Sequence, residues 1–175
     1  MTVLPLLAVL VQALSGATID ALDAPAGTKA IVYVFTSTDC PISNRYAPEI
    51  VRIQQAFAPK GVRFRLVYPG KHEDPKSIQE HMSAFSYTGL EAVRDTELAL
   101  VKFAGATITP EVAVVAGGKV VYRGRIDDRF ADLGVERSVI TTHDLRDALA
   151  SIVAGRDVAV SRTQAVGCYI ADLTR

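Results

Sequence analysis

The spacing of hydrophobic and polar positions changes period several times along the chain, and each change marks an element. Lys29 to Thr36 holds the near-continuous apolar run Ala30-Ile31-Val32-Tyr33-Val34-Phe35, bounded by Gly27 and Asp39. Such a run predicts a strand covered on both faces. From Pro41 to Ala58, Ile42, Tyr46, Ile50, Ile53 and Phe57 recur at spacings of three and four. That stripe predicts an amphipathic helix, kinked where Pro48 removes an internal hydrogen bond. Val62 to Tyr68 alternates Val62, Phe64 and Leu66 against Arg63 and Arg65, a strand with one polar side. Asp74-Pro75 has the form of a helix start, cap followed by first-turn proline, with the helix running to about Tyr87. A short helix ending at Gly105 follows Asp95-Thr96-Glu97.

The period then shortens. Glu111 to Ala116 and Lys119 to Arg125 are strand-like runs joined by Gly117-Gly118, a two-residue hairpin signal. Asp127 to Ser138 reads as a polar surface loop, and Asp127-Asp128 as a turn or cap within it. Thr142 to Ala154 predicts a last helix, capped by Thr141 or Thr142 and stopped by Gly155. The order β-α-β-α-α-β-β-α predicts an α/β fold: a mixed central sheet with helices on both faces. An extended tail, Val158 to Arg175, follows it.

Three segments result: 1–17, 18–157 and 158–175. In the first, Leu4 to Leu14 is apolar apart from Gln12, and Ser15-Gly16-Ala17 offers the small residues a signal peptidase reads. The pattern predicts a signal peptide cleaved near Thr18, or a short anchor. It therefore predicts export to a periplasmic or extracellular space, although no Lys or Arg precedes the apolar run. Contact with a membrane is expected only through this segment, if it stays uncleaved.

Composition narrows the chemistry. Nineteen basic residues balance nineteen acidic ones, which offers nothing to nucleic acid. His72, His81 and His143 lack metal-ligand spacing and are expected on helices or the surface. No phosphate loop or catalytic Ser-His-Asp order is present, so no metal and no cofactor is expected. Two cysteines in 175 residues can form at most one internal disulfide. Cys40 stands where the buried strand hands over to the helix at Pro41. Unpaired N–H groups and the helix dipole at such a junction stabilise a thiolate. Cys168, in Val166-Gly167-Cys168-Tyr169, sits on a tail long enough to fold back across the domain. Two readings of Cys168 stay open: a thiol that resolves Cys40, or an apolar residue packed on the surface. Gly167 would let the backbone turn tightly into Cys168, and Thr163 and Gln164 could bond a neighbouring loop.

Four features together resemble the thioredoxin-like superfamily, over roughly Lys29 to Gly155. They are Thr38-Asp39-Cys40-Pro41-Ile42-Ser43 in a Cys-x-x-Ser form, Pro48 in the following helix, Thr109-Pro110 before a strand, and the hairpin around Gly117-Gly118. Within the superfamily the chain is most similar to exported redoxin domains, which span thiol peroxidases and thiol–disulfide reductases. The resemblance implies a thiol-dependent oxidoreductase acting on a disulfide or peroxide, with an external reductant. Cys40 would be the nucleophile; Cys168 lies outside the stretch that carries the resemblance, and with Ser43 in the second position it would be the resolving thiol on the first of its two readings. Asp39, Pro41, Ser43, Thr109 and Pro110 would line the site, the last two as a cis-proline turn. Arg123 or, preferably, Arg125 would polarise a peroxide. The chain departs from the reductases in carrying Ser43 where they have a second cysteine. It departs from the peroxidases in carrying Tyr33 and Ser37 where their motif has Pro and Thr. Those departures motivate an alternative, a redox-inactive binding or scaffold module on the same fold.

Overall fold

The computed structural model describes residues 8–171 and 173. One seven-stranded mixed sheet organises them. Its strands are β1 (Leu10–Ala13), β2 (Thr18–Asp20), β3 (Ala30–Phe35), β4 (Val62–Pro69), β5 (Glu91–Asp95), β7 (Glu111–Ala116) and β8 (Lys119–Gly124). The two-residue strand β6 (Ile108–Thr109) lies outside that sheet. In space the seven run β2-β1-β5-β4-β3-β7-β8. β3, β4 and β5 are parallel, and the outer pairings are antiparallel.

Strand alternation sorts the core onto the two faces of the sheet. Val32 and Val34 of β3 point into a cluster with Ile50 and Ile53 of α1 (Pro41–Phe57), Ile78 of α2 (Pro75–Ala84) and Leu145 and Leu149 of α4 (Asp144–Val153). Ile31, Tyr33 and Phe35 point the other way, onto Leu100 and Val101 of α3 (Ala99–Ala104). Every residue of β3 is buried, as its unbroken apolar run requires. Asp74 caps α2 by accepting from the Lys76 and Ser77 amides, and α1 continues through Pro48.

The structure differs from the sequence reading in several places. The apolar segment read as a leader enters the sheet: Val9 and Val11 are buried, and Gln12 and Ala13 pair with Arg94 and Val93 of β5. Ser15-Gly16-Ala17 forms the tight turn from β1 to β2, with the Gly16 amide donating to Ala13 and Gly16 at a φ of 89°. The folded domain therefore starts upstream of the boundary expected at Thr18, and residues 1–7 of that segment lie outside the described residues. β5 was not anticipated, because Glu91-Ala92-Val93-Arg94-Asp95 carries only one large apolar residue. α2 ends at Ala84 rather than Tyr87, and Ser86 takes a positive φ just beyond it. The loop after β8 contains a small hairpin, β9 (Phe130–Asp132) with β10 (Val135–Glu136). Asp127 and Asp128 are buried there rather than exposed. Asp128 accepts from the Thr141 and Thr142 amides, so neither threonine caps α4, whose N-cap is His143. His81 lies on a helix as read, on the buried side of α2.

Removing residues 1–17 takes away β1 and the burial of Val9 and Val11. At ~1.5–3 kcal/mol for each buried valine the loss is a few kcal/mol, or on the order of 10 °C in melting temperature for a domain of this size. Thermal denaturation of the full chain beside one starting at Thr18 should show that drop. Equal melting would mean β1 contributes nothing.

Candidate active site

Cys40 is the N-cap of α1, with Pro41 at the first helical position. Its carbonyl receives the Asn44 amide, which starts the helix. Its thiol lies beneath the surface, 1% exposed, and 3.1 Å from the Thr109 carbonyl oxygen. The Thr109–Pro110 bond is cis. The second sulfur reaches the same place from the far end of the chain. The tail strand β11 (Cys168–Tyr169) pairs antiparallel with β6, Cys168 opposite Thr109 and Tyr169 opposite Ile108. The Ile170 amide donates to the Thr107 carbonyl and extends that pairing. The two Sγ atoms, 128 positions apart in sequence, are 3.0 Å apart and not bonded.

Each part of the tail has a physical reason to lie there. Gly167 passes flush against the Thr109 carbonyl and the Pro110 nitrogen, leaving no space for a Cβ. Close approach, rather than an unusual dihedral, requires glycine. Upstream, Thr163 pairs its amide with the Arg123 carbonyl, and its hydroxyl meets Tyr122 and the Arg125 amide. Ala165 and Ile170 are buried on either side of the crossing. Among the described residues, the Gln164 side chain donates to the neighbouring Ala165 carbonyl rather than to a separate loop.

Electrostatics separate the two sulfurs. Burial alone would raise the Cys40 thiol. A hydrogen bond from Cys168, the Ser43 hydroxyl and amide, and Thr109 together outweigh burial and bring Cys40 below the ordinary cysteine value. The Ser43 hydroxyl is buried and makes no hydrogen bond to any other described residue, so it is free to turn toward the sulfur. Cys168 is pushed up to about 11, by burial first, then by its bond to Cys40 and the negative charges of Cys40 and Asp39. When the pair gives up its first proton, these shifts put the charge on Cys40 and leave the remaining proton on Cys168.

The loop before Cys40 is pinned from two sides. Glu73, in the turn after β4, accepts from the Thr38 amide at 2.9 Å and the Ser37 hydroxyl at 2.7 Å. Asp39 also approaches the Ser37 hydroxyl. On the other side, the Asn44 amide donates to the Thr38 carbonyl while its oxygen accepts from His81 Nε2 at 2.7 Å. That bond leaves His81 Nδ1 to accept from the Tyr68 hydroxyl at 2.8 Å. Burial lowers the His81 pKa, which keeps the neutral ring this chain of bonds needs. Glu73 and His81 were not recognised from sequence, because neither has a local spacing that ties it to Cys40.

A cleft of about 370 Å³ opens beside the pair, lined by Ser37, Asp39, Glu73, Thr109 and Cys168 among others. Cys168 lines it and Cys40 does not. Pro41, Ser43 and Pro110 also stay outside its wall. Arg125 is not brought to the site: it binds Asp144 at 2.8 Å and Thr142 at 3.1 Å, at the start of α4. Arg123 faces Glu111 at 3.6 Å. Among the described residues no cluster of three metal-ligating side chains occurs, and no helix is long and apolar enough to cross a membrane.

No protein-family model and no curated protein matches the chain. Solved structures do. An uncharacterized conserved protein of Geobacillus kaustophilus matches with a TM-score of 0.79 at 23% identity, over 93% of this chain and 87% of that one. A hypothetical protein of Sinorhizobium meliloti gives 0.76 at 22%, over 92% and 88%. A secreted disulfide oxidoreductase of Mycobacterium tuberculosis gives 0.55 at 16%, over 83% and 94%. At these identities the likeness establishes the fold, which is thioredoxin-like.

Ultraviolet thiolate absorbance should titrate in two separate steps, the first below the ordinary cysteine value of ~8.5 and the second near 11. Cys168→Ala removes the strongest donor to Cys40 and should move the first step upward. Gly167→Ala should do the same by lifting the tail off Thr109. An unchanged first step in both variants would show that the tail does not set the Cys40 thiolate.

Proposed function

We propose that the protein is a thiol–disulfide oxidoreductase in which Cys40 and Cys168 form one redox pair. The observation that carries this reading is the 3.0 Å contact between two sulfurs from opposite ends of the chain. Cys40 supplies the stabilised thiolate, and Cys168 supplies the second thiol that Ser43 does not provide. Such a pair can cycle between dithiol and disulfide by exchange through a mixed disulfide. The depressed thiolate is also the better leaving group when that disulfide is opened.

The arrangement favours exchange over peroxide reduction. Arg125, expected to polarise a peroxide, is bound to Asp144 and Thr142, and the Cys40 sulfur is closed over. Export is part of the proposal, because an oxidising compartment would let the pair exist as a disulfide. The secreted character of the Mycobacterium tuberculosis protein is consistent with it.

The fully reduced protein, mixed with neutral 2-hydroxyethyl disulfide, tests the reading. It should consume one equivalent, release two of mercaptoethanol and finish with no free thiol and no adduct. Cys40→Ser and Cys168→Ser should each give at most a single stable mixed disulfide. A wild-type protein that instead collects two adducts, or does not react, is a redox-inert binding module or has independent thiols.

A further inference from the structure

The cleft beside the pair is built unevenly, and the asymmetry bears on what exchanges with it. Cys168 forms part of its wall, whereas Cys40 lies behind, 1% exposed. An incoming sulfur therefore meets Cys168 first. The same wall carries two carboxylates, Asp39 and Glu73, facing one hydroxyl, Ser37. A single hydroxyl proton can serve only one of them at a time. Glu73 is 8% exposed, and its Oε2 has no hydrogen-bond partner among the described residues. That oxygen is out of reach of solvent, so what an occupant of the cleft meets is the charge of the two carboxylates rather than the free lone pair. The other titratable side chains of the wall are His72 and Tyr169, and the Arg94 guanidinium donates to the Glu73 backbone carbonyl just beside it.

The backbone beside the sulfurs argues against a polypeptide in this position. Residues 168 and 169 occupy the edge of β6, and the Ile170 amide takes the Thr107 carbonyl. An extended peptide could pair there only after the tail had left. The open volume, about 370 Å³, suits a small molecule.

We propose that the pair exchanges with a small thiol carrying a positively charged group, which enters the acid-walled cleft and bonds to Cys168 rather than Cys40. The proposal rests on the thiol–disulfide reading above and names its substrate class. Starting from the oxidised pair, the small thiolate forms a bond to Cys168 Sγ. The Cys40–Cys168 bond breaks, and its electron pair leaves on Cys40, where the helix start and Ser43 hold the thiolate. A second small thiolate attacks the first at the mixed disulfide and releases Cys168, which takes a proton from water. Two small thiols are oxidised to one disulfide, and the protein disulfide is reduced to two thiols. The ammonium group would sit against Glu73 and Asp39.

Three thiols of similar size differ in charge: cysteamine, mercaptoethanol and mercaptoethanesulfonate. Each is mixed with the oxidised wild-type protein, and the rate of disulfide loss is expressed per thiolate present and divided by that thiol's rate with neutral 2-hydroxyethyl disulfide, which removes differences in thiol basicity. Cysteamine should exceed mercaptoethanol by roughly fivefold, and the sulfonate should be slower by a similar factor, the size expected of one charge pair at a partly exposed site. The spread should narrow in high salt and in Glu73→Gln or Asp39→Asn. Acid quenching and peptide mapping should find the mixed disulfide on Cys168. Equal normalised rates, or an adduct mapped to Cys40, would overturn the inference while leaving the exchange reading intact. A pair that no thiol reduces would remove both.

Discussion

Two residues of antiparallel pairing hold this site together. Cys168 lies opposite Thr109 and Tyr169 opposite Ile108, and everything unusual about the sulfurs follows from that short crossing. It brings the end of the chain to the N-terminus of α1. It also places a thiol donor on the Cys40 sulfur and closes that sulfur off from solvent. A two-residue ladder is a weak device by itself. Here it is held at both ends, by Thr163 locked against β8 and by Ile170 buried in the core. Gly167 then brings the tail backbone against Thr109, an approach that a larger residue would prevent.

The rest of the fold supplies a rigid frame for that contact. β3 is buried at every position and ends in the loop that carries Cys40. Glu73 fixes this loop from the β4 side, and the bonds linking Tyr68, His81 and Asn44 fix it from α2. Those partners keep the Cys40 sulfur in place without covalent help. The tail can then alter its electrostatics without altering its position. One sulfur is held low and buried while the other is held high and open to the cleft, a division suited to directional exchange.

How much of this could be read from the sequence depended on whether a signal was local. The β3 run, the α1 stripe, the Asp74 cap and the Gly117-Gly118 hairpin are all set by residues within one element, and they fall where the periodicities place them. The β1 and β5 side of the sheet was hidden. β1 has the apolar composition of a leader, and a buried strand and a secretion signal look alike until the pairing partners are known. β5 gives little apolar signal because Val93 is its one large apolar residue and Asp95, though polar, is the other buried one. Cys40 announced its chemistry through its junction with Pro41. Glu73 and His81 reach the site only through tertiary contacts, as does Arg125 in leaving it for Asp144.

The central claim is that Cys40 and Cys168 act as one redox unit held by the tail. The Cβ chemical shifts of both cysteines, followed through a graded series of reduced and oxidised dithiothreitol buffers, test it most directly. The account predicts that the two resonances move together from reduced to oxidised positions at a single midpoint, with the steepness of a two-electron couple. Separate midpoints, or one cysteine that stays reduced throughout, would contradict it.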